Sequence, residues 1–357
     1  MKLIRYYVLF FVLSFSFIAQ SQITISGKVI DSASREPLQG ASVFAQNTTQ
    51  GTVTGTGGEF SLQLKSGGYE LIVSYTGYIT QQVRITDNKD QRVEIVLIKE
   101  DKTLSEVVIS SSNEVPDGWE KYGDFFIGHF IGSTPFAKNC TIQNKDVVKF
   151  FYYRRSDKLK VLATEPLVIS NDALGYDLRY QLDSFVYYYK TELSSYRGTC
   201  FFTEKLGTVN QAMAWKANRE KAYFGSRLHF MRSVYDSTLK QSGFNIATLN
   251  ENDKTKFGML LKPLDNKYYS VIDSLDEVEI YYPQKISVTY IKAVPENEYL
   301  EQFKLPMDVG VQISYIDILN PITIKQNGYY YDQKDWINQG YWSWKNLADL
   351  LPYDYLP

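Results

Sequence analysis

Histidine and cysteine are the scarcest chemically reactive residues in this sequence. The 357 residues include two histidines, His129 and His229, and two cysteines, Cys140 and Cys200. A structural zinc site normally uses four cysteine or histidine ligands, so one such site would need every one of these residues. We therefore expect no metal and no other cofactor.

An excess of charge of one sign is also missing, and long apolar runs are confined to the N-terminus. The 38 basic and 40 acidic residues give a net charge of −2. A balance of this kind provides no general attraction to nucleic acid. We expect no nucleic-acid partner and no transmembrane segment once a signal peptide has been removed.

The first 21 residues have the pattern of an export signal. Lys2 and Arg5 precede the 13-residue apolar run Tyr6–Ile18, and small residues follow at Ala19 and Ser21. This order is typical of a cleaved signal peptide, and we place the cut between Ser21 and Gln22. The competing interpretation is an uncleaved anchor, although the run is short for a bilayer span.

Aromatic residues are abundant, with 29 tyrosines and 20 phenylalanines, and the region after the signal alternates strictly between apolar and polar residues. Period-two alternation over short segments predicts β-strands with one buried face, and Gly-rich or Asn-containing turns separate them. About seven strands over residues 22–99 predict a Greek-key β-sandwich. The alternating segments begin at Ile23, Ala41, Phe60, Tyr69, Val83 and Val93.

Three stretches in this region carry a family resemblance: GKVIDSASREPLQGASV from Gly27, GTVTGTGGEFSLQL from Gly51, and GGYELIVSYTGYITQQVRI from Gly67. Together they resemble the carboxypeptidase regulatory-like domain, a transthyretin-like sandwich common in exported proteins of some Gram-negative bacteria. In metallocarboxypeptidases the corresponding module does no chemistry, so the resemblance implies no catalytic residues here. We expect residues 22–99 to fold on their own.

Residues 100–118 are charged and serine-rich and predict a linker. They contain the hexapeptide Leu104-Ser105-Glu106-Val107-Val108-Ile109. In TonB-dependent outer-membrane transporters a similar sandwich is followed by a similar hexapeptide, and the resemblance is limited to that junction. Leu104, Glu106, Val107, Val108 and Ile109 could offer a strand to a partner's sheet. Alternatively, the segment packs within its own chain.

Residues 119–357 predict a β-rich α+β domain with one long helix, so that the chain as a whole is mainly β. Thr208 and Gln211 fit a capping box, and apolar residues from Phe224 to Leu239 follow at helical spacing. The prediction is a helix over Val209–Ser242, bent near Gly225. This half resembles an uncharacterised region that follows the same sandwich in other exported Gram-negative proteins.

The two cysteines and four terminal aromatics are the candidate functional residues of this half. In an oxidising compartment, an even pair within one domain favours a Cys140–Cys200 disulfide over two free thiols. The aromatics could form a sugar-stacking platform, or they could pin the chain end to the core. They are Trp336, Tyr341, Trp342 and Trp344.

Catalytic motifs are weak. Ser237-Thr238-Leu239-Lys240 matches the S-x-x-K nucleophile motif but has no accompanying K-T-G strand, and neither histidine has a G-x-S-x-G partner. We therefore expect no catalytic residues and predict a non-catalytic cell-envelope protein that acts as a binding or assembly factor. The alternatives are a carbohydrate-binding accessory protein and, third, an envelope hydrolase.

These interpretations place the protein outside the cytoplasm. The expected location is the periplasm or the periplasmic face of the outer membrane, with the cell surface as a further option. The expected partner is an envelope protein or a glycan, and peripheral association with the outer membrane fits the same location.

Overall fold

The computed structural model describes residues 22–85, 89–100, 113–250, 253 and 255–357. The chain is mainly β, as predicted, and consists of an N-terminal sandwich followed by a larger α+β region. The proposed signal peptide at residues 1–21 and the hexapeptide residues Leu104, Glu106, Val107, Val108 and Ile109 lie outside the described residues.

The sandwich contains seven strands in two sheets. Each strand turns alternate apolar side chains toward the space between the sheets, where they form the core. One sheet has the order β4-β1-β7 and the other β3-β2-β5-β6. The pairing of β1 with β7 is parallel, whereas the others are antiparallel. The strands are β1 (Gln22–Asp31), β2 (Ser42–Ala45), β3 (Gly51–Val53), β4 (Glu59–Lys65), β5 (Tyr69–Ser74), β6 (Gln81–Ile85) and β7 (Gln91–Leu97).

A six-stranded sheet begins the second region. The long strand β12 pairs with β13 along one edge and with both β10 and β11 along the other. Helix α1 (Gly118–Phe130) packs on this sheet through Phe126 and Phe130. The strands are β8 (Cys140–Ile142), β9 (Val148–Tyr153), β10 (Lys158–Ala163), β11 (Leu167–Asn171), β12 (Tyr176–Tyr188) and β13 (Leu193–Glu204).

Two further sheets complete the chain and share a second core. One has the order β15-β14-β18-β19-β21 and the other β16-β17-β20. The strands are β14 (Phe244–Leu249), β15 (Phe257–Met259), β16 (Tyr269–Ile272), β17 (Glu277–Ile280), β18 (Ile286–Tyr290), β19 (Gln312–Ile318), β20 (Ile322–Ile324) and β21 (Trp336–Gly340). The remaining helices are α2 (Val209–Tyr223), α3 (Arg227–Tyr235), α4 (Leu239–Ser242), α5 (Asn297–Gln302) and α6 (Tyr341–Trp344).

The predicted long helix is three helices, α2, α3 and α4. The capping box at Thr208 and Gln211 is present and starts α2. The helix stops because Gly225 adopts φ +83°, and Ser226 then caps α3 by accepting a hydrogen bond from the His229 amide. Gly243 ends α4 in the left-handed conformation, one residue after the predicted end of the helix at Ser242.

The predicted Cys140–Cys200 disulfide is wrong in this structure, where both thiols are free. Cys140 lies on β8 and Cys200 on β13, and β11 and β12 run between them. Three strand spacings amount to about 14 Å, whereas a disulfide needs Cα atoms within about 7 Å. Burial raises the pKa of Cys140 to about 12 and raises that of Cys200 as well.

The sandwich is joined to the second region through the loop that follows β2. The Asn47 amide donates to the Cys200 carbonyl at 2.7 Å, and the Phe202 amide donates to the Thr48 carbonyl at 3.0 Å. The loop therefore covers part of the free edge of β13. It also holds the end of the chain, because Asp354 accepts hydrogen bonds from the amide and hydroxyl of Thr49.

A second contact between the regions uses a side-chain amide. Asn327 accepts a hydrogen bond from the Gly68 amide at 3.1 Å and donates one to the Gly68 carbonyl at 3.0 Å. Gly67 and Gly68 allow this approach, because a Cβ on Gly68 would lie 2.6 Å from the Lys325 side chain. The N-terminal sandwich is thus attached at two separate places.

Candidate binding cleft

An open cleft of about 1130 Å³ lies between the C-terminal end of α2, the segment that follows β18, and α6. Lys221 and Phe224 form one wall, and Lys292 and Val294 form the other. Tyr341 is at the floor, together with Gln312 and Glu296. The walls combine apolar side chains with charges of both signs.

The position of α2 fixes the first wall. The Trp215 indole donates to the Asp172 carbonyl at 2.9 Å, and Arg219 donates to the carbonyls of Leu174 and Gly175. Gly175 has φ +69°, and a Cβ there would come within 2.2 Å of the Trp215 ring. Because α2 ends at Gly225, Tyr223 points into the core while Phe224 stays exposed at the cleft.

A buried polar network connects the floor residues Glu296, Gln312 and Tyr341 with Lys345 and Asp349, which do not line the cleft. The Lys345 ammonium lies 2.8 Å from Glu296 Oε1 and 3.2 Å from Asp349 Oδ1. The Tyr341 hydroxyl donates to Glu296 Oε2, and Gln312 Nε2 donates to the same hydroxyl at 2.9 Å. Interlocked hydrogen bonds of this kind hold the floor in one arrangement before any ligand arrives.

The charges of the network support one another. Burial opposes ionisation of Glu296, but the Lys345 charge and the hydrogen bonds from Lys345 and Tyr341 outweigh it and lower the pKa of Glu296. Burial also acts against the Lys345 charge, yet Asp349 and Glu296 raise the pKa of Lys345. Glu296 of the floor is therefore bound to a buried ammonium, which uses two of its three donors on Glu296 and Asp349.

His229 lies behind the cleft and is a poor candidate for a general base. Its Nδ1 accepts a hydrogen bond from the Gly225 amide at 3.2 Å, and the rings of Tyr223 and Phe244 surround it. Burial and the nearby charges of Lys292 and Arg232 lower the pKa of His229 to about 4. The ring is therefore neutral near pH 7, and its Nδ1 is occupied.

The other candidate catalytic residues also form contacts within the chain. His129 Nδ1 is 2.9 Å from the Phe125 carbonyl, and its ring lies 4.2 Å from that of Phe125. Ser237 Oγ is 3.2 Å from the Tyr269 hydroxyl, not beside a base. Among the described residues, no group of three or more His, Cys, Asp or Glu could hold a metal ion.

The four candidate sugar-stacking aromatics are buried. Trp336, Tyr341, Trp342 and Trp344 are only 3–6% exposed. The Trp342 indole donates to the Gly225 carbonyl at 2.7 Å, and the Trp344 indole donates to Gln302. These rings do not form an exposed sugar-stacking platform; they attach the chain end to the core, which was the alternative interpretation.

Sequence patterns missed the residues of the floor. Glu296 precedes α5 and Lys345 follows α6, about fifty residues apart in the chain, and neither lies in a recognisable motif. Lys221 and Phe224 belong to a helix end that the sequence marks by Gly225 and Ser226. The helix end was therefore readable, whereas the pairing of Glu296 with Lys345 required the fold.

The sandwich can now be assigned to a family. A family model of the CarboxypepD_reg-like domain matches residues 25–109. The N-terminal sandwich is a CarboxypepD_reg-like domain. Its resemblance to the carboxypeptidase regulatory-like family, inferred above from three motifs, is confirmed. Within the described residues, no helix is long and apolar enough to span a membrane.

Two curated relatives that are similar to part of this chain are TonB-dependent receptors. The chain is 34% identical over 94 residues to the TonB-dependent receptor SusC of Bacteroides thetaiotaomicron, which covers 26% of this chain and 9% of the receptor. It is 37% identical over 78 residues to the TonB-dependent receptor P39 of Formosa agariphila, covering 22% of this chain and 7% of the receptor. The chain thus spans less than a tenth of either relative.

Similar solved structures include a type II cohesin–X–dockerin complex from Acetivibrio cellulolyticus, at 19% identity and TM-score 0.21, covering 22% of this chain and 59% of that one. Another is a DUF3823 family protein from Bacteroides ovatus, at 12% identity and TM-score 0.18, covering 52% of this chain and 82% of that one. At such TM-scores the likeness carries no structural or functional argument.

Proposed function

We propose that the protein is a non-catalytic, exported envelope protein that binds another envelope polypeptide through the cleft. The cleft carries the proposal because it combines a fixed polar floor with exposed apolar walls. A floor organised in advance lowers the entropic cost of binding.

The chemistry of the walls favours a polypeptide as the occupant. Phe224 and Val294 both line the cleft and are exposed, so they can receive apolar side chains. Lys221 and Lys292 bring positive charge, and Glu220 brings negative charge. A polypeptide segment carries both apolar groups and charges of both signs, whereas the aromatic rings considered for sugar stacking are buried.

The family of the sandwich supports the same proposal. Two relatives that are similar to a part of this chain are TonB-dependent receptors. For this chain, an envelope location and a partner within it remain our proposal. The absence of a free general base beside a nucleophile in the described sites is consistent with binding without catalysis.

The proposal is tested by site-specific photo-crosslinking in cells. Val294 is replaced by p-benzoyl-phenylalanine in the full chain, and envelope fractions are analysed for adducts after irradiation. We expect a discrete polypeptide adduct, reduced about tenfold or more by Phe224→Asp, because loss of an aromatic anchor in a groove costs a large share of the affinity.

Phe303 provides the matched control, since Phe224 and Phe303 are each 46% exposed and Phe303 does not line the cleft. Phe303→Asp should leave the adduct unchanged. Equal loss in both variants, or no adduct at all, would contradict a binding role for the cleft. An adduct that a muramidase digests would identify a glycan as the occupant and overturn the polypeptide proposal.

A further inference from the structure

Among the described residues, β15 lies at an edge of the five-stranded sheet, and three large apolar residues are exposed on it or just after it. Antiparallel pairing places Phe257 opposite Leu249 and Met259 opposite Ala247, and the Leu260 amide continues the ladder by donating to the Ile246 carbonyl. Residues two apart along a strand share a face, so Phe257 and Met259 point the same way, and the exposed Leu261 follows β15 in a bend. Met259 is 63% and Leu261 92% exposed, whereas Leu260, between them, packs against the core.

This face continues across the sheet. The register puts Met259, Ala247, Ser287 and Tyr315 in one row over β15, β14, β18 and β19. The Phe257 ring lies 5.5 Å from the Tyr315 ring, and Ile337 is exposed on β21 at the far side. The opposite face carries Ile246, Val288 and Ile316, which form the core. The outer face is therefore partly apolar, and it is in contact with solvent at Phe257 and Met259 on one side and at Ile337 on the other, whereas Ser287 between them is buried.

Lysines flank the apolar edge. Lys256 immediately precedes Phe257 and Lys262 immediately follows Leu261, and Lys267 lies a few residues further on; all three are exposed. Asp253 pairs with Lys256 at 2.9 Å, and Asp265 lies in the same loop as Lys267. The three lysines and two aspartates leave a local charge of +1. Within the face, Lys285 and Asp317 neutralise each other at 3.1 Å.

We propose that this outer face, with β15 at its edge, is a contact surface for a lipid bilayer that contains anionic phospholipids. Transfer of exposed Phe, Met and Leu side chains from water into the interfacial region of a bilayer lowers the free energy. Lysines beside them extend toward anionic headgroups while their alkyl chains stay along the apolar boundary. The combination on one face fits a membrane surface.

Pairing with a second copy of the chain fits less well. Antiparallel pairing of two β15 edges centred on Met259 would place Lys256 of each copy opposite Lys262 of the other. Like charges directly opposite each other across a strand pair are destabilising, and lysines at sheet edges oppose this kind of association. The same lysines that favour an anionic bilayer therefore disfavour self-pairing.

The test is co-sedimentation of the purified protein with vesicles. One set contains phosphatidylethanolamine with a quarter phosphatidylglycerol, and the other contains phosphatidylcholine alone. We expect binding to the anionic vesicles that weakens with added salt. The double variant Met259→Ser, Leu261→Ser should bind about tenfold more weakly, because two apolar groups no longer enter the interface.

A matched control uses the same residue types at comparably exposed positions elsewhere. The double variant Met213→Ser, Leu206→Ser should bind vesicles like the unmodified protein. The double variant Lys256→Gln, Lys262→Gln should lose the preference for anionic vesicles. Phe224→Asp in the cleft should leave vesicle binding intact, so a failure of this proposal and a failure of the cleft proposal are distinguishable.

Two results would overturn the proposal. The first is no sedimentation of the unmodified protein with anionic vesicles, or equal loss of binding in the two serine double variants. The second is a dimer in light scattering that Leu261→Ser dissociates, in the absence of vesicle binding; this would assign the surface to a second copy.

Discussion

The core of the N-terminal sandwich consists of sixteen buried residues, of which only Phe60 and Tyr69 are aromatic. The core behind the cleft contains 23 buried residues, and ten of them are Phe, Tyr or Trp. Buried Tyr and Trp carry a hydroxyl or an indole N–H that needs a partner, so the second core must be built together with polar groups.

Buried charges follow the same division. In the sandwich, Asp31 is buried and accepts hydrogen bonds from the nearby amides of Ala33 and Ser34 and from the hydroxyl of Tyr78, which is 47 residues away. In the second region, Lys345 bridges Glu296 and Asp349, and Lys325 lies 3.0 Å from Glu277. Glu296 and Lys345, and Glu277 and Lys325, lie about fifty residues apart in the chain, whereas Asp349 follows Lys345 by four. The comparison shows a buried carboxylate held mainly by neutral donors in the sandwich and buried carboxylates held by ammonium groups in the second region.

The largest difference between the two regions is expected when the Lys345 ammonium, which binds Glu296 of the cleft floor, is removed. Lys345→Met leaves Glu296 and Asp349 buried without their cation, and we expect a loss of about 3–5 kcal/mol in the free energy of unfolding. The measurement is chemical denaturation followed by tryptophan fluorescence.

The control for this variant lies in the sandwich. Lys99 is exposed and its ammonium is 3.9 Å from Asp31, so Lys99→Met should cost less than about 1 kcal/mol. Equal losses from the two substitutions would mean that the buried network does not distinguish the regions.

The second prediction concerns pH and belongs to the aromatic core alone. The pKa of His229 is lowered to about 4 in the folded state, against 6.5 for an ordinary histidine. Between these values the unfolded chain binds more protons, so stability is complete above pH 6.5 and falls as the pH drops toward 4. The loss is at most about 3 kcal/mol.

Protonation of His229 would also place a hydrogen on Nδ1, which then could no longer accept the hydrogen bond from the Gly225 amide. His229→Gln should therefore flatten the stability profile between pH 6.5 and 4, as measured by denaturation at several pH values. The same substitution at His129 is the control and should retain the slope. An unchanged slope in His229→Gln would refute the assignment.

The third and smallest expected effect tests how the two regions are coupled. Asn327→Ala leaves the buried amide and carbonyl of Gly68 without partners, at a cost of about 1–3 kcal/mol. We expect calorimetry to separate the unfolding of the sandwich from that of the remaining chain, consistent with a sandwich that folds on its own.

Asn144 is the matched control, because its side-chain amide makes the same pair of contacts, with Val168 and Pro166, inside the second region. Asn144→Ala should lower stability without separating the transitions. If Asn327→Ala keeps a single transition, the coupling rests on the loop after β2 instead.

The contrast between the regions also explains what the sequence could predict. The strands and the buried residues of the sandwich could be predicted from alternation, because the sequence of each strand shows which of its faces is buried. The family could be predicted from the three motifs. The capping box at Thr208 and the end at Gly243 are similarly local. The break at Gly225 was predicted only as a bend in one helix, because apolar spacing continues from Phe224 to Leu239, although Gly225-Ser226 is a recognisable helix stop and start.

The remaining predictions failed because they depended on tertiary neighbours. A Cys140–Cys200 disulfide is reasonable from composition, but the sheet order separates the two cysteines by β11 and β12. The terminal aromatics could have faced either solvent or core, and only the packing decides. Likewise, no local pattern indicates that Glu296 and Lys345 meet at the floor of a cleft.

The hydrogen bonds from Thr49 to Asp354 have a consequence for the order in which the chain folds. The two residues are 305 positions apart, so synthesis reaches Asp354 long after the sandwich has emerged. Until then, the loop lacks one of its two attachments, and the edge of β13 near Phe202 is less firmly covered. An uncovered edge can pair with strands of other chains. Asp354 thus secures the loop only after all the residues between it and the sandwich have been made.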